Sequence, residues 1–428
     1  MRDADKAAAS DALLTWLQPE NKNPTTRPID FSACFGGNLS SEARDLLHLA
    51  TAQRNKLIEV LGASGDAAPP DPRNITAAVE AYLPSLWTIT ASFEAASTLS
   101  VKLTSVKLEF KWVSALAEKP KEWTFGVLIF EVCFVLAIRA LAHRNTARII
   151  LEANPSAYVD ASKELCRAAG IFELVANGLL PRWASAPASR PPEVFAPVAL
   201  CFAAMCLADA QRLMTAKAVA SDAASTLVAK LLVGAEDKYA YATRALQTLD
   251  KATFDGTSAV LKEELGAMPP LCRAVASSEL AFAAHDKGEY GKAAAYARES
   301  ARRLGALTAL GKNLVRAGLA KQVADARGRS EALANEYENE ATTAYFMAVP
   351  AVAELAWADG SFIAKPVPYE LPEANLVSFS ELPLPPTVAK TSRSFFEKLF
   401  NISSEFYSAD DLQAIEKAKT EQAKETAL

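Results

Sequence analysis

The sequence predicts a mainly all-α protein, a helical solenoid that carries one small inserted β-sheet. Half of the 428 residues are hydrophobic, only 17 are glycine, and alanine is abundant, a composition that favours helix. Apolar residues recur at helical spacing in one segment after another, with short connections between them. Only residues 101–112 alternate apolar and polar side chains as a half-buried strand does. These three observations decide the fold class.

Hydrophobic periodicity places the individual helices. Helices are expected at 7–17, 39–62 and 74–97 before the strand, and after it at 124–144, 156–177, 191–219, 222–249, 257–264, 268–286, 289–308 and 312–345. Consecutive helices with short connections are typical of a stacked solenoid.

One helix pair makes that expectation concrete. Between residues 280 and 304, Gly288, Tyr290, Ala293, Ala297 and Leu304 fall where a tetratricopeptide repeat places its turn and second helix. No 34-residue period runs through the chain, so the prediction is a tetratricopeptide-like core with irregular surroundings.

The composition of the chain changes near its C-terminus. Six prolines between residues 365 and 386 predict an extended segment. An aromatic stretch at 394–406 follows, and Ser408 with Asp411 forms a capping box for a charged helix at 409–425. We therefore divide the chain into an N-terminal extension (1–27), a main domain (28–385) and a tail (386–428).

Charge is mildly acidic overall but unevenly distributed. The net charge of −5 argues against nucleic-acid binding. The segment 298–329 contains eight basic residues and only two acidic ones, Glu299 and Asp325. A solvated helix face is the ordinary interpretation, and a patch facing anionic lipid is the alternative. The residues are Arg298, Arg302, Arg303, Lys312, Arg316, Lys321, Arg327 and Arg329.

Signals for catalysis, cofactors and membranes are absent from the sequence. The six cysteines form no CxxC pair, and the three histidines (His48, His143, His285) stand alone, so no metal site is expected. No nucleotide-binding or hydrolase motif occurs, so we expect neither enzyme nor cofactor. The N-terminus lacks an apolar signal region and the best apolar run, 127–142, is too short to span a bilayer, which favours a cytoplasmic protein.

Residues 207–231 combine features that admit two interpretations. They form two helices rich in small residues, with Met214, Leu227 and Leu231 at helical spacing and Lys217 and Lys230 nearby. One interpretation is a packed helix pair in the core. The other is an apolar groove with a basic rim that receives a partner's amphipathic helix. Periodicity leaves both open.

Five segments in order resemble the BRO-one domain family, whose members are ESCRT-associated. They are LEFKW at 108–112, FEVCFVL at 130–136, CRAAGIF at 166–172, LADAQ at 207–211 followed by KA at 217–218 and VAKL at 228–231, and YFMAVP at 345–350. The resemblance covers roughly residues 28–385. Asp209 stands where the family has a first glutamine, and Ala341 where it has an asparagine.

The resemblance implies a boomerang-shaped solenoid and a non-enzymatic adaptor, cytoplasmic and peripheral on endosomes, that acts in multivesicular-body sorting. Its groove would bind the C-terminal amphipathic helix of an ESCRT-III subunit. Matched by position, Met214 replaces a groove aromatic, Leu227 and Leu231 take two aliphatic positions, and Lys217 and Lys230 take the basic ones.

Two other functions stay open at this point. One is a helical scaffold that binds a different peptide. The other is a module for anionic endosomal membranes that uses the 298–329 basic run and the Phe395, Phe396, Leu399 and Phe400 side chains of the tail.

Overall fold

The computed structural model describes residues 14–17, 23–36, 39–62, 70–95, 102–103, 106–309 and 319–379. Within these ranges the chain forms eleven α-helices. They are α1 (Phe31–Cys34), α2 (Ser41–Gly62), α3 (Pro72–Ala95), α4 (Leu128–Ala153), α5 (Tyr158–Glu173), α6 (Ala196–Ala220), α7 (Ser225–Gln247), α8 (Lys251–Gly256), α9 (Ala259–Asp286), α10 (Tyr290–Thr308) and α11 (Ala320–Asn339). The helices expected at 7–17 and 409–425 and the aromatic stretch at 394–406 lie largely or wholly outside the described residues.

The long helices stack in chain order, which confirms the solenoid. Each of α2 to α7 packs on the next, α7 packs on α9, and α9, α10 and α11 continue the stack. One hydrophobic core runs through most of the stack, and a second, smaller core lies among α9, α10 and α11. The tetratricopeptide-like turn is present, because Gly288 between α9 and α10 has φ +76° and Ala293 and Ala297 are fully buried.

The strand prediction was right in kind and wrong in extent. Residues 101–112 contribute two separate strands, β3 (Lys102–Leu103) paired with β2 (Phe35–Gly36), and β4 (Phe110–Val113). β4 lies between β1 (Thr25–Thr26) and β5 (Glu122–Phe125) in an antiparallel sheet. The expected helix start at 124 was therefore wrong. Residues 122–125 pair with β4, Trp123 opposite Trp112, and α4 begins only at Leu128.

A buried ion pair fastens this sheet to the helices. Arg54 of α2 contacts Glu131 of α4 with Nε–Oε1 at 2.9 Å, and both side chains are fully buried. Trp112 Nε1 donates to Glu131 Oε2 at 2.6 Å, and Arg54 Nη2 donates to Thr26 Oγ1 at 2.8 Å. Since a buried charge is tolerated only when paired and hydrogen-bonded, this network explains Glu131 inside an apolar helix.

The two helices expected at 257–264 and 268–286 are one continuous helix, α9. Pro269 and Pro270 lie inside it, and neither can donate a backbone hydrogen bond to the preceding turn. Met268, Leu271 and Cys272 are nevertheless buried against neighbouring helices. Tertiary packing therefore outweighs the local preference for a break.

Helix α6 has the length and hydropathy needed to cross a bilayer, but 89% of its most apolar stretch is buried within the protein. It has neighbours on both sides, α5 and α7. Its apolar character is thus that of a central core helix.

After α11 the chain returns along the stack as an irregular, extended segment, residues 345–379, which we call the strap. Three helices each contact the strap at a glycine, which is Gly291 in α10, Gly234 in α7 and Gly170 in α5. A Cβ on these glycines would lie 2.2, 2.1 and 1.8 Å from strap carbonyl oxygens. Those oxygens belong to Ala348, Ser361 and Val367. The expected extended conformation at 365–386 is confirmed as far as residue 379.

Candidate functional site

The candidate groove lies on the α6–α7 hairpin. Asp222 in the connecting turn has φ +56°, and the Ala223 amide donates to the Ala218 carbonyl at 3.0 Å, which ends α6 and reverses the chain. Met214 lies six residues before the end of α6, and Leu231 six residues after the start of α7. Because helices rise 1.5 Å per residue, these two side chains lie at about the same level of the hairpin.

The three apolar residues differ in exposure. Leu227 is 45% exposed, Met214 is half-buried against the main core, and Leu231 is only 4% exposed. The expectation that Leu231 is open to solvent was therefore wrong. The strap contacts the same turn of α7, where the Ser361 amide donates to the Lys230 carbonyl at 2.9 Å.

Lys217 and Lys230 are both exposed, one helical turn beyond Met214 and Leu227 respectively. The structure shows no ion pair to either lysine among the residues that it describes. Each apolar side chain at the open end of the groove thus has an ammonium group close by in sequence. The hypothesis of an apolar groove with a basic rim requires this combination of residues.

A buried polar network lies beneath the hairpin, and sequence reasoning missed it. Asp209 Oδ1 accepts from Arg212 Nη2 at 2.6 Å and from the Tyr239 hydroxyl, while Arg144 Nη2 donates to Glu264 Oε1 at 2.6 Å. Arg144 also lies 3.5 Å from Asp209 Oδ2. Charged residues in the apolar helices α4 and α6 were the signal that could have revealed it.

Burial dominates the electrostatics of this network. It raises the pKa of Glu264 to about 7, against the opposing effect of Arg144. Arg212 Nη2 also donates to the Trp16 carbonyl at 2.7 Å and so ties the N-terminal segment to α6. Asp209, a departure from the family pattern, thereby has a structural role here.

Gln211 joins the hairpin to the strap through both ends of its amide. Its Nε2 donates to the Leu231 carbonyl at 3.2 Å and to the Ser361 carbonyl at 2.9 Å. Its Oε1 accepts from the Ile363 and Ala364 amides at 3.0 and 3.2 Å. This fully buried side chain therefore sets the distance between the groove and the strap.

The basic run does not form a uniformly positive surface. The arginines of this run pair with glutamates on the same helix or on the neighbouring helix. Glu331 and Glu338 of α11 are therefore acidic partners in addition to Glu299 and Asp325. The pairs are Arg298–Glu338, Arg302–Glu299, Arg303–Glu299 and Arg327–Glu331. Lys321 is exposed, while Lys312 and Arg316 lie outside the described residues.

The cysteines and two of the three histidines are accounted for by packing and pairing. All six thiols are free and buried, and burial raises the pKa of Cys272 to about 12, so it is a poor nucleophile at neutral pH. His143 contacts Glu164 and His285 contacts Glu340, at 2.6 and 2.8 Å. Over the described ranges, no group of three or more His, Cys, Asp or Glu side chains is arranged to hold a metal ion.

Known proteins share this architecture. The family model for the BRO1-like domain matches residues 73–411. The structure is similar to that of the ALIX BRO1–CHMP4C complex, with a TM-score of 0.65 and 16% identity over 85% of this chain and 98% of that chain. No curated protein sequence matches the chain.

Two further solved structures share the fold. ALIX in complex with the SIVmac239 PYKEVTEDL late domain has a TM-score of 0.67 and 16% identity, over 90% of this chain and 53% of that chain. A structure that describes the basis for endosomal targeting by the Bro1 domain has a TM-score of 0.61 and 18% identity, over 82% and 93%.

Proposed function

Because the chain belongs to the BRO1-like domain family, we propose that it is a non-enzymatic adaptor whose α6–α7 groove binds the C-terminal amphipathic helix of an ESCRT-III subunit at endosomes. The single observation that carries this proposal is the exposed Leu227, 45% open to solvent, on a hairpin that also presents Met214, Lys217 and Lys230.

The chemistry of this strip suits an acidic amphipathic helix. Complete burial of a leucine or methionine contributes about 1.5–3 kcal/mol, and the exposed parts of Leu227 and Met214 make a corresponding share of this available. Lys217 and Lys230 attract acidic residues of the partner and raise the association rate more than the affinity. Met214 is a flexible apolar contact in place of a rigid aromatic, so the groove adapts to partners of different shape.

The comparisons support the class of partner and the location. A structurally similar BRO1 domain has been solved with CHMP4C, and another Bro1 structure concerns endosomal targeting. The ion pairs of Arg298, Arg302, Arg303 and Arg327 favour the adaptor over a membrane-surface module, because paired guanidinium groups attract anionic lipid less strongly.

The experiment that tests the proposal is a calorimetric titration of the full chain with ESCRT-III C-terminal peptides. Leu227→Asp should weaken binding by a factor on the order of 30 or more, because it removes an apolar anchor and places a carboxylate facing an acidic partner. Since Leu227 is exposed, the fold should survive, as shown by an unchanged circular dichroism spectrum.

The matched control is Leu49→Asp on α2, a leucine 51% exposed and distant in the stack from α6 and α7. It should leave peptide affinity unchanged. Equal affinity of the wild type and Leu227→Asp would refute the groove, and binding of a different peptide class at the same site would instead support a scaffold for another partner.

A further inference from the structure

The strap begins with a protruding aromatic segment, residues 345–347, which we call the knob. Phe346 is 85% exposed, and Tyr345 and Met347 beside it are 45% and 40% exposed. A large aromatic side chain this open to water contributes almost no burial to the fold.

The backbone at Phe346 is strained, with φ +52°, a conformation that favours glycine. It follows the wide last turn at the end of α11, where the Tyr345 amide donates to the Glu340 carbonyl at 3.1 Å and the Met347 amide to the Ala341 carbonyl at 2.8 Å. Glycine is the usual residue at such a helix end. Phenylalanine at this position therefore strains the backbone and exposes an apolar ring to water. Since it does not stabilise the fold, we look for its role in contacts with another molecule.

The base of the knob is held rigidly. The ring of Tyr345 stacks on that of Tyr290 with centroids 3.7 Å apart and planes within 8°. The backbone of Ala348 lies directly against Gly291 at the start of α10. Phe346 is thus presented at a defined position, which lowers the entropy lost when it docks.

The surroundings of the knob are apolar and acidic. Residues 341–353 contain no charged side chain. The flanking segments 285–292 and 336–354 carry six carboxylates against two lysines. They are Asp286, Glu289, Glu336, Glu338, Glu340 and Glu354, with Lys287 and Lys292. Three of these carboxylates are paired, Glu289 with Lys292, Glu340 with His285 and Glu338 with Arg298. Six carboxylates against Lys287, Lys292 and Arg298 still leave three negative charges in excess. An apolar knob with acidic flanks is complementary to an apolar groove with a basic rim.

That complementary surface exists on the same chain, as the groove of Leu227, Met214, Lys217 and Lys230. We propose that the knob of one copy docks in the α6–α7 groove of a second copy, so that molecules associate head to tail. This proposal rests on the proposed function, because the knob would occupy the same groove as the ESCRT-III helix. Such a heterologous contact does not close on itself, so it generates short open chains whose growth an ESCRT-III tail would stop.

Sedimentation velocity of the full chain at rising concentration tests the association. The wild type should show a concentration-dependent increase in mean mass, and Phe346→Gly should stay monomeric. Its melting temperature should equal or exceed that of the wild type, because glycine relieves the strain at φ +52°. Leu49→Ser, which also removes an exposed side chain, should associate like the wild type.

Mixing two variants identifies the contact. Phe346→Gly retains a groove and Leu227→Asp retains a knob, so each alone should be monomeric and an equimolar mixture should form dimers and nothing larger. A wild type that stays monomeric, or a mixture without dimers, would overturn the proposal.

Two additional measurements separate other outcomes. Phe346→Gly should still bind an ESCRT-III C-terminal peptide, and loss of peptide binding only in Leu227→Asp would support the groove even if self-association failed. Flotation with phosphatidylcholine vesicles tests a membrane. Vesicle binding that depends on Phe346 in a protein that does not self-associate would assign the knob to lipid and overturn the docking to a second copy.

Discussion

Leu227 and Leu231 lie four residues apart on α7 and therefore on the same face of the helix, yet one is 45% exposed and the other 4%. The strap passes the turn that contains Leu231 and leaves the turn of Leu227 open. An aspartate at position 231 would bury a charge for which no partner is in place, so its effect on binding would be inseparable from loss of the fold.

At the residue scale, we predict that Leu231→Ala lowers the free energy of unfolding by about 2–4 kcal/mol, since it removes a buried side chain. Leu227→Ala should change it by less than about 0.5 kcal/mol. Urea denaturation of the two variants checks this. Similar losses in both would show that Leu227 also stabilises the fold.

At the element scale, the strap is held on the solenoid by main-chain contacts. Carbonyl oxygens of the strap approach Gly170, Gly234 and Gly291 so closely that no side chain fits between helix and strap. The Gln211 side-chain amide adds three hydrogen bonds to the strap, at Ser361, Ile363 and Ala364. The strap thereby sets one boundary of the groove.

We predict that Gly234→Ala displaces the strap from α7, because its Cβ would lie 2.1 Å from the Ser361 carbonyl oxygen. The expected loss of stability is about 1–3 kcal/mol. Hydrogen exchange should show reduced protection of the Ile363 and Ala364 amides, which Gln211 binds in the wild type.

Gly266→Ala is the matched control for that variant, since Gly266 lies in α9 and a Cβ added there would meet nothing within 4 Å. It should stabilise the protein by about 0.5–1 kcal/mol, because alanine is the better helix former. Unchanged protection at residues 363 and 364 in Gly234→Ala would contradict the close contact.

At the scale of the whole molecule, buried ionic groups connect elements far apart in the sequence. Arg54 and Glu131 join α2 to α4 and the sheet. Arg144, Asp209 and Glu264 join α4, α6 and α9. Such networks specify one arrangement of the helices, because any other leaves a charge buried without a partner.

The pH dependence of stability should reveal the Glu264 network. Burial raises the pKa of Glu264 from 4.5 to about 7. Between these two pH values the Glu264 carboxyl is protonated in the folded protein and ionised in the unfolded chain. The contribution of this group to stability therefore falls as pH rises through that window, by roughly 3 kcal/mol in all.

Urea denaturation of the wild type and of Glu264→Gln across that pH range measures this contribution. The variant cannot release the proton, so the difference in unfolding free energy between the two proteins should change steadily across the window and level off above it. Parallel pH profiles would show that Glu264 does not titrate in this way.

Long periodic segments were predictable because their information is local. Helices α2, α3, α7 and α10 begin and end within a few residues of the expected positions, and the hairpin that carries the candidate groove was found from spacing alone. Strand β5 was missed because its four residues show no strand pattern of their own. They are extended because they pair with β4. The break expected in α9 was overridden by packing on both sides of its prolines.

The helical class and the family resemblance followed from the amino-acid sequence alone, since each depends on residue types at fixed local spacing. The three-dimensional packing was needed to establish that Leu231 is covered while Leu227 is open. It was also needed to find that glutamates of α11 pair with Arg298 and Arg327, and that Phe346 projects from a strained helix end. The physical reason is that burial and ion pairing arise between residues distant in the chain, which a local pattern does not specify.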